Sequence, residues 1–180
     1  MYRVATFLVK QFWREPSGLA DGIGVLLLTW NQAFYRYGAP DFKRFEGFLS
    51  VNRQVFDQLR SRDISTFTSG DQQRTLVVFE SALEALAIAK GKKQGHRSPV
   101  GVAKALHLLA PSFFPLWDKA IADAYGCGYS SDPAGKYVKF MGISKTIVAA
   151  LRGTMKPLEG KTHLKVFDEY NYAKFTKQWV

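Results

Sequence analysis

The run Ser98-Pro99-Val100-Gly101-Val102-Ala103-Lys104-Ala105-Leu106-His107-Leu108-Leu109-Ala110-Pro111 leads into Ser112-Phe113-Phe114-Pro115-Leu116-Trp117-Asp118. It carries two helix starts and one stop. Ser98 has N-cap chemistry, and Pro99 suits the first helical position, where its missing N–H costs nothing. Pro111 cannot continue a helix, so the first element ends near Leu109. Asp118 can cap the amides of Lys119 to Ile121 and open a second helix, which stops at Gly126. The stretch predicts a helix, an aromatic turn and a helix.

Helical periods extend from it in both directions. Ile23, Leu26, Leu27, Trp30, Phe34 and Tyr37 recur at three- and four-residue steps across Asp21 to Tyr37, with Gly38 and Pro40 beyond. Phe42 to Leu49 and Val51 to Leu59 form a shorter pair, and Ser61 to Asp71 reads as a loop rich in Ser, Thr and Asp. Gln73 to Lys90 places Leu76, Phe79, Leu83, Leu86 and Ala87 on one side, with Gly91 just after. Downstream, Cys127 to Gly135 is a loop, Lys136 to Arg152 is helical, and 155–180 is a basic, aromatic tail that packs as a short helix or cover. No repeat or linker divides the 180 residues. The expectation is an all-α, single compact domain over 1–180.

Composition narrows the function classes. Hydrophobic residues make up 47% of the chain and charged residues 22%, enough apolar surface for a core and too little charge for disorder. No apolar run approaches the length that spans a bilayer, and the first residues lack a secretory pattern, so the expectation is a cytoplasmic protein with no membrane partner. One cysteine, Cys127, excludes an internal disulfide, and three histidines give no four-ligand metal spacing. Neither a metal nor another cofactor is expected. The net charge of +10 favours a polyanion, because Lys and Arg release counterions on meeting phosphates.

That charge is concentrated. Between Glu84 and Asp118 there is no acidic residue, while Lys90, Lys92, Lys93, Arg97 and Lys104 all fall there with His96. The patch spans a turn between two helices, and the free amides of Val100, Gly101 and Val102 at the second helix's N-terminus suit a docked anion. Asp118 follows Phe113-Phe114-Pro115-Leu116-Trp117, so its carboxylate stands beside an apolar wall. By local sequence it is either a helix cap alone or a catalytic group.

Basic turn, helix, proline and then Phe-Pro-Leu-Trp-Asp opening the next helix resemble the helix-hairpin-helix DNA glycosylase superfamily. In that family the hairpin is written Leu-Pro-Gly-Val-Gly-x-Lys. Here Arg97-Ser98-Pro99-Val100-Gly101-Val102-Ala103-Lys104 keeps the proline, one glycine and the lysine. Upstream, Val25-Leu26-Leu27-Leu28-Thr29-Trp30-Asn31-Gln32 resembles the family's early helix, whose polar end reaches the extruded nucleotide or the gap it leaves. The resemblance covers roughly Gly22 to Gly126.

The resemblance implies a compact helical glycosylase fold, with a hairpin-like DNA-binding element at about 86–110. It implies a monomer acting on double-stranded DNA that excises a damaged or modified base, in base-excision repair or in defence against modified phage DNA. Asp118 is then catalytic, and Lys104 is either the amine nucleophile of strand-cleaving members or a phosphate contact. Trp30, Asn31, Gln32, Phe114 and Trp117 are the candidate base pocket. Lys92, Lys93, His96, Arg97, Val100, Gly101 and Val102 are the candidate DNA contacts. The runner-up is a non-catalytic DNA-binding module, which needs the lysines and not the aspartate. Three features carry blander readings: His107 as a surface or satisfied core histidine, Cys127 as a packed or exposed thiol, and Tyr170, Tyr172, Phe175 and Trp179 as a cover over the core.

Overall fold

A computed structural model describes residues 2–156 and 160–180. The chain is mostly helical, as its periods predict. The helices are α1 (Tyr2–Gln11), α2 (Pro16–Trp30), α3 (Gln32–Tyr35), α4 (Phe42–Val51), α5 (Arg53–Arg60), α6 (Ser69–Ala85), α7 (Pro99–Leu109), α8 (Lys119–Ala124), α9 (Pro133–Thr154) and α10 (His163–Asn171). Two short strands, β1 (Gly38–Pro40) and β2 (Ile88–Gly91), pair antiparallel. The tail expected over 155–180 contains α10 and one further turn, with residues 157–159 outside the described set.

One cluster of buried side chains runs from Ala5 in α1 to Phe167 in α10. Phe79 of α6, Trp117, and Tyr137 and Phe140 of α9 meet ring to ring at its centre, with centroids 4.7 to 6.4 Å apart. Aromatic pairs at such spacings add stability beyond area burial. α2 crosses α4 so closely at Gly24 that a β-carbon there would lie 2.0 Å from the Phe42 ring.

Three boundaries differ from the periodicity, each for a physical reason. The expected Asp21–Tyr37 helix instead begins at Pro16, a natural first helical residue, and breaks at Asn31. There the Trp30 carbonyl accepts a hydrogen bond from Lys104 Nζ at 2.7 Å, so the ladder does not continue through it. The expected Gln73–Lys90 helix starts earlier, at Ser69, because Thr68 and Asp71 form a reciprocal capping box. It ends at Ala85 because the next carbonyls are taken by other groups: Leu86 by the Tyr35 hydroxyl and Ala87 by Arg44.

The backbone after Ala87 therefore pairs with β1, in the register Gly38 to Gly91 and Ala39 to Lys90. Gly91 has φ +121°, and a β-carbon there would sit 2.3 Å from the Tyr37 carbonyl oxygen. Within Ser61 to Asp71, Ile64–Thr66 forms a single 3₁₀ turn under Asp63. Arg62 grips Asp71 with two hydrogen bonds at 2.8 and 2.7 Å, and this pairing holds the Asp71 carboxyl at about 2, below the ordinary range.

Candidate functional site

α7 and α8 start as the sequence predicts. Ser98 Oγ accepts the Gly101 amide at 3.1 Å, and Asp118 Oδ1 accepts the Ile121 amide at 3.0 Å. Lys104, one turn and a half into α7, and Asp118, at the head of α8, open into one cleft of about 720 Å³. Its other walls include Tyr2, Trp30 and Trp117, the acidic Asp168 and Glu169, and the C-terminal residues Lys165, Tyr172, Thr176 and Trp179.

Burial pushes the Lys104 amine down to about 8, a shift that the neighbouring Asp118 charge partly offsets. Roughly a tenth of such an amine is unprotonated at pH 7, against roughly 0.04% of an ordinary lysine. One N–H is spent on the Trp30 carbonyl, and the unprotonated amine keeps its lone pair free. The second Asp118 oxygen, Oδ2, accepts the Thr176 hydroxyl at 2.6 Å. The carboxylate is thus held at both oxygens by uncharged donors.

Two aromatic pairs face the opening. Tyr2 and Trp30 meet edge to face at 6.2 Å, and Tyr172 and Trp179 do so at 6.4 Å. The second pair is open to solvent, with Tyr172 45% and Trp179 72% exposed. Phe175, between them in sequence, turns inward and packs edge-on against Tyr125. The tail therefore divides its aromatics between cover and cleft.

The expected base pocket is corrected at three positions. Phe114 is fully buried, and its carbonyl accepts from His107 Nδ1 at 2.8 Å, so it belongs to the core. Asn31 donates through Nδ2 to Ser98 Oγ at 2.9 Å and laces the end of α2 to the start of α7. Gln32 is exposed on α3 and does not line the cleft. Trp30 lines it, and Trp117 lines it from within the core at 1% exposure.

The anion site expected on the first amides of α7 is corrected too. Ser98 already accepts the Gly101 amide through its hydroxyl and the Val102 amide through its carbonyl. Val102 is fully buried, and a β-carbon on Gly101 would crowd Asn31, Ser98 and Tyr35 at 3.3 Å. These two residues pack α7 against α2, leaving only Val100 near the surface. Lys92, Lys93, His96 and Arg97 are exposed on a turn that closes on itself: Gly95 donates to the Ile88 carbonyl and Ile88 to the His96 carbonyl. This turn carries β2, so it is wider than a tight link between two helices. Arg97 pairs with Glu84, and Lys93 lies 4.2 Å over the Tyr37 ring.

From the cleft wall at Tyr2 and Asp168 a buried polar network runs inward to His107. His107 donates from Nδ1 to Phe114 and accepts the Tyr2 hydroxyl at Nε2, 3.0 Å away. Burial lowers its pKa to about 4, so the ring is neutral at physiological pH, and of the surface and core readings the sequence leaves open the structure shows the core one. Asp168 Oδ2 lies 3.6 Å from His107 Nδ1, too far for a hydrogen bond, and has no other partner. Burial drives the Asp168 carboxyl well above the carboxylate range. The Cys127 thiol is buried against the Tyr125 carbonyl, packed where the sequence leaves packed and exposed both open. Among the described residues no cluster of His, Cys, Asp and Glu could hold a metal, and no helix is long and apolar enough to cross a membrane.

No protein-family model matches the chain, nor does any curated protein or solved structure.

Proposed function

We propose that this chain is a DNA glycosylase of the helix-hairpin-helix class, excising a damaged or modified base from double-stranded DNA. One observation carries the assignment: Asp118, heading α8, and Lys104, its amine lowered to about 8, share a single aromatic-walled cleft. A structural cap needs no partly buried lysine in the same cleft, and a surface lysine has no reason to have its amine lowered by burial.

The chemistry follows from that pairing. A base cannot be attacked within the stack, so the nucleotide is extruded and its lost stacking is replaced by aromatic contacts, here Trp30, Tyr2, Tyr172 and Trp179. As the bond from C1′ to the base nitrogen breaks, positive charge builds on the deoxyribose. The Asp118 carboxylate stabilises that charge and orients the entering water. In the alternative, the unprotonated Lys104 amine attacks C1′ as the base leaves, and breaking of the C1′–O4′ bond, with the amine proton passing to O4′, gives an imine that permits strand cleavage. The exposed Lys92, Lys93 and His96 meet the phosphate backbone, a contact that weakens with salt.

The test is base release read by mass spectrometry. Wild type and Asp118→Asn are incubated with damaged DNA and with naturally hypermodified phage DNA. Release by wild type alone is the expected result and names the base. Salt-dependent DNA binding without release from either protein would instead establish a binding module.

A further inference from the structure

We infer that Thr176, 58 residues beyond Asp118, is the positioning residue for the Asp118 carboxylate. The inference rests on the glycosylase assignment and assigns part of that machinery to the C-terminal turn. α8 supplies one constraint on the carboxylate, the Ile121 amide on Oδ1 at 3.0 Å. With that contact alone the group is free to swing about its own bond to the chain. The Thr176 hydroxyl on Oδ2 at 2.6 Å fixes its plane, and a neutral donor does so without cancelling the negative charge that the sugar requires.

The backbone around Thr176 is built for this reach. After α10 ends at Asn171, Tyr172–Thr176 is wound as a wider π turn, closed by the Lys177 amide on the Tyr172 carbonyl at 2.9 Å. The Trp179 amide bonds the Ala173 carbonyl beyond it. Such turns are rare and recur at functional sites, because the added residue re-aims the side chains around it. Here the result turns Thr176 toward Asp118 and Phe175 onto Tyr125, leaving Tyr172 and Trp179 at the cleft. The turn is tied to α8 at a second point, where the Tyr125 hydroxyl donates to Asn171 Oδ1 at 2.8 Å. α8 and the C-terminal turn thus move as one piece, and the cleft is incomplete without the last residues of the chain.

The experiment compares Thr176→Val, which keeps the side-chain shape and removes the hydroxyl, with Thr176→Ser, which keeps the hydroxyl. Both are assayed by single-turnover excision on the duplex from which wild type releases a base, with thermal melting alongside. The expected result is a roughly 10- to 100-fold fall in the excision rate for valine, the scale of a misplaced reacting group, at unchanged DNA affinity and melting temperature. Serine restores the rate to within a few fold of wild type. An undiminished rate in the valine variant, or equal losses in both variants, overturns the inference while leaving the assignment standing. No base release by wild type overturns the assignment and the inference together.

Discussion

Asp118 and Asp132 head consecutive helices and make the same local contact. Each accepts the amide three residues on, Ile121 at 3.0 Å and Gly135 at 3.0 Å. Their surroundings differ. Asp132 is exposed, takes a left-handed backbone (φ 48°), and borders a shallow hollow with Glu80, Glu84 and Arg97. Asp118 has its second oxygen held by Thr176 and shares its cleft with a lysine of lowered pKa. Capping chemistry is therefore common to both, and what separates them is supplied by α7 and by the C-terminal turn, distant segments of the chain.

The largest effect expected on that contrast comes from its lysine. Lys104→Ala abolishes borohydride trapping of a covalent complex with DNA, whereas Lys136→Ala, one turn into α9 below Asp132, leaves it intact. In wild type the reactive species is the unprotonated amine, so trapping rises about tenfold per pH unit below about pH 8 and levels above it. A pH-independent trap, or one that survives Lys104→Ala, breaks the contrast.

Much of this was legible before the fold was known, and the misses have identifiable causes. The caps at Ser98, Asp118 and the close of α7 before Pro111 are local chemistry, and local chemistry is written in adjacent residues. β1 and β2 are three and four residues long, too short to display a period, and they exist because Tyr35 and Arg44 capture the carbonyls that would prolong α6. Phe114 and Trp117 stand three apart in one aromatic run, yet one faces only the core and the other also reaches the cleft. Thr176 carries no local signal at all. Its role depends on a π turn and on a partner 58 residues away, neither of which has a spacing to detect.

A smaller effect is expected at Asp168 on the cleft wall, where Oδ1 accepts the Leu116 amide and the buried Oδ2 lacks the hydrogen bond that Thr176 gives Asp118. The Asp168 pKa is raised in the folded state, so the folded protein binds the proton more tightly than the unfolded chain. Stability is then lost as pH rises from the unfolded value near 4 toward the folded one. Asp168→Asn removes this loss while keeping an acceptor for the Leu116 amide. The variant should be more stable than wild type, with a wider margin at pH 8 than at pH 5 in chemical denaturation. An equal margin at both pH values contradicts the assigned state of Asp168.

Asp132→Ala removes a cap and should cost about 1 kcal/mol of stability without slowing excision. The smallest effect belongs to the exposed turn. Lys92→Gln and Lys93→Gln should each lower the salt dependence of DNA binding by about one unit of slope, with excision at saturating protein unchanged.

The most direct measurement sets Asp118→Asn beside Asp132→Asn in single-turnover base excision. Asparagine caps a helix as well as aspartate does, so both variants keep their helices; Asp132→Asn loses the charge, and Asp118→Asn loses the charge together with the oxygen that accepts the Thr176 hydroxyl. The account predicts wild-type excision by Asp132→Asn and a loss of about 100-fold or more in Asp118→Asn, at matched melting temperatures. Equal excision by the two variants would contradict it.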